Sequence, residues 1–126
     1  MQTKSVKWLI LLGAALWIAN ANAATNLVWI GGTGLWNAPA NWSPARVPTA
    51  IDNVFITNTT TYTVTVPDGV DPTVDSLMLG GASGTQTLSL GRSSLTLNSA
   101  SVVNANGHQR TGHGQWRTQY RWRCNA

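Results

Sequence analysis

Beyond Asp75 the chain is built from leucine pairs two residues apart, Leu77/Leu79, Leu88/Leu90 and Leu95/Leu97, then Val102 with Val103, separated by glycine and small polar residues. A two-residue spacing sets both members of a pair on one face of a strand. Such short strands cannot bury their apolar side alone, but stacked as coils they share one leucine-lined core. The pattern predicts an all-β chain that begins a right-handed β-solenoid, with a small β-sandwich as the competing architecture. Helical folds fit badly: glutamate is absent, and charged residues make up 10% of the chain, against roughly 25% in ordinary soluble domains.

Upstream, residues 26–30 read as a first strand closed by the turn Gly31-Gly32-Thr33-Gly34. Residues 35–49 hold Pro39, Pro44 and Pro48 together with Trp36 and Trp42, and read as irregular loop pinned by aromatic packing. Residues 53–57 form another strand. In residues 61–66 the alternation is strict, with threonine on one face and Tyr62, Val64 and Val66 on the other. Pro67-Asp68-Gly69 is a turn signal. Residues 24–73 are therefore expected to form a Trp/Gly-rich cap with the first strands, and residues 74–107 one to one and a half solenoid rungs. Stable solenoids need about three repeats, so the segment reads as the beginning of something longer.

The N-terminus has the three-part pattern of a secretory signal peptide: Lys4 and Lys7, an apolar run over residues 8–19, and Ala21 and Ala23 at the small-residue positions of a cleavage site. A membrane-spanning helix needs roughly 20 apolar residues, so cleavage before Ala24 is expected rather than an uncleaved anchor. The membrane enters only through this signal, and the product is expected to be secreted or on the cell surface. Cys124 is the only cysteine. No intramolecular disulfide can form, so packing and backbone ladders must hold about 100 residues together.

The formal charge of +4 sits at the two ends. Between Ala24 and Gly107 there are two arginines, Arg46 and Arg92, against four aspartates. The excess comes from Lys4 and Lys7 and from Arg110, Arg117, Arg121 and Arg123, interleaved with Trp116, Tyr120 and Trp122. That tail would suit stacking on single-stranded nucleic acid or binding anionic polymers, but an exported protein seldom meets nucleic acid, and no nucleic-acid partner is expected. Residues 108–126 contain neither leucine nor valine. They are expected to be disordered and translated out of frame. Trp is always TGG and Arg codons begin CG or AG, so dropping one base turns the Trp116-Arg117 and Trp122-Arg123 junctions into glycine codons. The shifted string can read Asn-Gly-x-Leu-Asn-Ile-x-Gly, a turn followed by a short strand. A genuine basic tail is the alternative.

The densest motif is Trp29-x-Gly31-Gly32-x-Gly34-x-Trp36, then Asn41-Trp42-Ser43-Pro44, then Pro48-x-x-x-Asp52-x-Val54-x-Ile56. Over about residues 24–107 the chain resembles the opening module of secreted bacterial proteins of the autotransporter-associated β-strand repeat type and similar surface β-helix proteins. The resemblance implies a solenoid of adhesin or passenger type and says little about activity. Read from the residues, the glycines supply positive φ in a tight turn. Trp29, Trp36 and Trp42 plug the open end of the solenoid, or alternatively form with Asn41 a platform that stacks on sugar rings. Asn41 and Asp52 are expected to bond turn amides.

Catalysis finds little to work with. Up to Gly107 the exported residues lack His, Lys, Glu and Cys, and nothing in the spacing selects a glycosidase-type pair among the aspartates. Asp68, Asp71 and Asp75 are weak candidates for calcium, lacking the regular spacing of a calcium loop. His108, His113 and Cys124 fit no regular zinc pattern. Asn58-Thr59-Thr60 has the form of a glycosylation sequon. The expected function is non-catalytic, without cofactor or oligomer: an exported β-solenoid fragment whose surface hydroxyls and amides contact polysaccharide or extracellular matrix. The alternatives are the N-terminal module of a polysaccharide-active β-helix enzyme and an inert truncated product.

Overall fold

The computed structural model describes residues 23–111. The expected signal sequence and the greater part of the basic tail, with His113 and Cys124, lie outside the described residues. In chain order the elements are β1 (Asn26–Trp29), β2 (Gly34–Leu35), a 3-10 turn (Pro39–Asn41), β3 (Trp42–Ser43), β4 (Asn53–Ile56), β5 (Tyr62–Thr65), β6 (Thr73–Val74), β7 (Ser76–Leu79), β8 (Gln86–Gly91), β9 (Thr96–Leu97), β10 (Val102–Val103) and β11 (Gly107–Thr111).

These strands wind into a β-solenoid of about four turns. One wall is a five-stranded sheet ordered β10-β7-β4-β1-β3, the second a four-stranded sheet β11-β8-β5-β2, and the third the pair β6-β9. Every pairing is parallel except that of β3, which runs antiparallel along the outer edge of β1. Parallel pairing of strands one coil apart excludes the sandwich, whose sheets are antiparallel. Several bonds fix the coil length: Ser83 Oγ to the Thr59 carbonyl, Thr85 N–H to Thr61 Oγ1, and Asn104 Nδ2 to the Gly80 carbonyl each span 24 residues.

Inward side chains stack in columns. Leu27, Val54 and Leu77 form one, Ile56, Leu79 and Val103 another, and Val64, Leu88 and Gln109 a third. The leucine pairs of β7 and β8 are buried, while Leu95, Leu97 and Val103 in the last described coil are only partly buried. Gln86 lies fully buried beside Tyr62 without cost, because Oε1 accepts the Gly81 N–H and Nε2 donates to the Thr60 and Ser83 carbonyls. On the outside of the five-stranded sheet Val28, Phe55, Met78 and Val102 fall into one register. Beside them Asn26, Asn53 and Ser76 form a hydrogen-bonded ladder.

Two boundaries differ from the sequence reading. The parallel ladders begin at β1, so residues 24–73 already contribute coils because β4 pairs with β1 as well as with β7. At the other end, residues 108–111 are not disordered: they belong to β11, which pairs with β8. Backbone pairing requires no leucine, and composition alone therefore misplaced that edge.

Candidate functional site

At the N-terminal end Trp29, Trp36 and Trp42 are each 0% exposed. Trp42 is the centre of the group, meeting Trp29 edge-on at 4.9 Å and Trp36 at 5.0 Å. Trp29 Nε1 donates to the Gly32 carbonyl at 3.0 Å and Trp42 Nε1 to the Trp36 carbonyl at 2.7 Å. Trp36 Nε1 is buried without a partner. None of these three indoles has an open face, so Trp29, Trp36 and Trp42 do not form the sugar-stacking platform with Asn41.

Asn41 is spent on the same corner. Its Nδ2 donates to the Leu35 carbonyl at 3.3 Å, and its own carbonyl accepts the Ile30 and Gly31 N–H groups. Gly31 and Gly34 serve this side chain: a Cβ there would meet Asn41 Oδ1 at 2.8 Å and Nδ2 at 2.7 Å respectively. The expected positive φ is absent from Gly31, Gly32 and Gly34, and occurs instead at Gly69, Gly80, Gly84 and Gly91. Close approach, rather than backbone handedness, demands glycine at Gly31 and Gly34, while a Cβ at Gly32 would meet open space.

Asp52 is fully buried and takes Arg46 in a bidentate pair, both N···O distances being 2.6 Å, while Thr49 donates its N–H and hydroxyl at 2.8 and 2.7 Å. The Arg46 hydrogen bonds outweigh burial and hold the Asp52 carboxyl below the usual carboxylate range. The pair clamps the loop before β4.

The calcium candidates do not converge. Asp68 Oδ1 accepts the Arg92 N–H, Asp71 Oδ1 accepts the N–H and hydroxyl of Ser94, and Asp75 Oδ1 accepts the Ser99 hydroxyl. Each carboxylate thus tethers its own turn to the next coil, and among the described residues no group of three His, Cys, Asp or Glu could hold a metal. Asn58 of the sequon points its Nδ2 inward to the Trp29 carbonyl at 2.7 Å.

The four-stranded sheet turns a face of hydroxyls outward. On the four-stranded sheet Thr63 lies in register with Thr87 and Thr65 with Ser89, all half-buried. Neighbouring strands are about 4.8 Å apart and alternate residues about 6.6 Å, so the four hydroxyls form a flat two-by-two lattice. Leu35, half exposed, borders it beside Thr65, and Arg110 borders it beside Ser89. Thr33 and Thr61 at the turn are used internally, accepting the Thr63 and Thr85 N–H groups. Threonine on one face of β5 was visible as alternation. Thr87 and Ser89 were legible only as a second alternating run 24 residues on, the coil length.

Comparison of the chain with protein-family models, with curated proteins and with solved structures finds no match in any of the three.

Proposed function

We propose that the chain is an exported, non-catalytic β-solenoid of adhesin or passenger type that contacts polysaccharide or extracellular matrix through the hydroxyl face of its four-stranded sheet. The observation that carries the reading is the in-register array Thr63, Thr65, Thr87 and Ser89. A hydroxyl both donates and accepts, and a rigid lattice of them meets the repeating hydroxyls of a glycan with no ordering cost on the protein side. Individual bonds contribute only about 1 kcal/mol, so binding depends on engaging several at once. The resemblance of residues 24–107 to surface solenoid modules and the signal-like N-terminus support export.

The test replaces Thr63, Thr65 and Thr87 by Val and Ser89 by Ala together, which removes the hydroxyls and keeps the β-branched shape wherever there was one. Sedimentation with insoluble polysaccharides, and glycan arrays, should show binding by the parent and at least tenfold weaker binding by the quadruple variant at unchanged circular dichroism. Equal binding by both, or none by the parent, would overturn the assignment. Hydrolysis of any polysaccharide would overturn the non-catalytic reading.

Loss of frame in the tail is a separate proposal, supported by the composition change and by the glycine codons hidden at both Trp-Arg junctions; because β11 continues the ladder through Thr111, the loss is placed after that residue rather than at codon 108. Downstream DNA that encodes no leucine/glycine repeats in the shifted frame would remove it.

A further inference from the structure

The hydroxyl lattice is part of a longer row. Leu35 is in register with Thr65, Thr65 with Ser89 and Ser89 with Arg110, so a single line of side chains crosses the sheet from β2 to β11. Beside it runs a second line, Thr63, Thr87 and His108. The core column of the same strands is Val64, Leu88 and Gln109, and alternation therefore turns Thr65, Ser89 and Arg110 to the outer face. Chemistry changes in order along the first line: a half-exposed leucine, two hydroxyls, then a guanidinium. End to end it covers three strand spacings, about 14 Å.

Formal charge on this sheet has one sign. Its strands read Gly-Leu, Tyr-Thr-Val-Thr, Gln-Thr-Leu-Ser-Leu-Gly and Gly-His-Gln-Arg-Thr, with no carboxylate among them. Every aspartate of the chain is placed elsewhere. Asp52 is buried against Arg46, and Asp71 and Asp75 tether their turns to Ser94 and Ser99. Asp68 follows β5, two strands away from β11, and its Oδ1 accepts the Arg92 N–H. Among the described residues the ion pair of the fold joins Arg46 to Asp52, so no carboxylate of the fold neutralises Arg110. His108, its neighbour on the outer face, is engaged within the fold. A guanidinium can only donate, and its planar fork of N–H groups matches the paired oxygens of a carboxylate or sulfate.

We propose that the glycan taken by this face is acidic, a polymer bearing carboxylate or sulfate groups. The anion sits on Arg110, sugar hydroxyls exchange hydrogen bonds with Ser89 and Thr65, and an apolar ring edge rests against Leu35. Acidic character narrows the proposed glycan reading to one class of polymer and rests on that reading. A neutral glycan satisfies the hydroxyls and leaves the guanidinium unmatched. An acidic one uses the whole row, and its attraction to Arg110, made at the surface, is screened by salt.

The experiment measures binding of the full chain to two matched pairs of immobilised polymers by biolayer interferometry: alginate against its propylene glycol ester, and dextran sulfate against dextran. The pair that responds names the anion. At low salt one acidic polymer at least should bind about tenfold more tightly than its neutral partner, as a charge-assisted bond allows, and the difference should shrink at high salt. Arg110→Gln should abolish the preference while leaving circular dichroism, melting and neutral binding unchanged. Arg117, Arg121 and Arg123 changed together to Gln are the control for the basic tail and should leave the preference intact. Equal binding within both pairs, or binding confined to neutral glycans, would overturn the acidic assignment and leave the hydroxyl-face reading standing; no binding to any glycan removes both. A preference that survives Arg110→Gln, or disappears with the three tail arginines, would also overturn it. The comparison within each pair uses the parent chain and decides the matter even where a variant fails to fold.

Discussion

Trp36 and Trp42 bury the same indole in the same cage and differ by one bond. Trp42 Nε1 reaches the Trp36 carbonyl, while Trp36 Nε1 reaches nothing. Replacing either by Phe removes a similar volume, but Trp42→Phe also strands a carbonyl and should cost more, by about 1–3 kcal/mol. Urea unfolding of the two variants side by side measures the difference. Trp36→Ala should cost roughly 3–5 kcal/mol, as truncation of a core aromatic does; near-parental stability would mean the cage does not hold the N-terminal end. Asp52 supplies a pH dependence. Its carboxyl is lowered in the fold, chiefly by Arg46, so the unfolded chain binds the proton more readily. The stabilisation is fully present above the ordinary aspartate value of about 3.9 and is lost as pH falls below it. Urea midpoints should drop through that range, and Asp52→Asn should flatten the drop while lowering stability at neutral pH. Arg46→Ala should cost about 2 kcal/mol, less than breaking a fully buried pair, because the Arg46 side chain is 39% exposed. None of these pairings follows from residue spacing: Asp52 and Asn41 read as turn residues, and only the folded corner names Arg46 and the two glycines as their partners.

Strands of this chain are stabilised from above and below more than from within. Leu88 in β8 is 0% exposed, between Val64 of the coil before and Gln109 of the coil after. Leu97 in β9 stacks on Val74 with no described strand beyond it. Leu88→Ala should therefore cost about 3–4 kcal/mol and Leu97→Ala roughly half that, because a partly covered site can relax around the missing atoms. Equal costs in denaturant titrations would argue that the last coil is covered. The period-two leucines and the Thr61-to-Val66 alternation made β5, β7 and β8 legible, since alternation alone assigns a face. The two-residue β9 and β10 fall at the Leu95/Leu97 pair and at Val102-Val103, whereas β2, β3 and β6 are equally short and carry no such pair. They exist because an adjacent coil offers them a ladder.

A solenoid held by nearest-neighbour contacts unfolds from its least covered end. Amide exchange should accordingly be slowest in β4, β7 and β8 and faster in β9 and β10. Uniform protection would contradict a gradient of coverage along the axis. The export reading has its own check: N-terminal sequencing of protein recovered outside the cell should begin at Ala24, and a Met1 or Gln2 start would refute processing. Fold class was readable before any coordinates, because short apolar pairs separated by glycine can satisfy burial only by stacking. Coil number was not. The cap region hides its first two rungs among prolines and tryptophans, whose burial depends on β3 turning back along β1, a contact between residues with no shared periodicity. The hydroxyl lattice was likewise beyond reach, because alternation tells which side chains face out, whereas the register of parallel strands one coil apart decides which of them become neighbours.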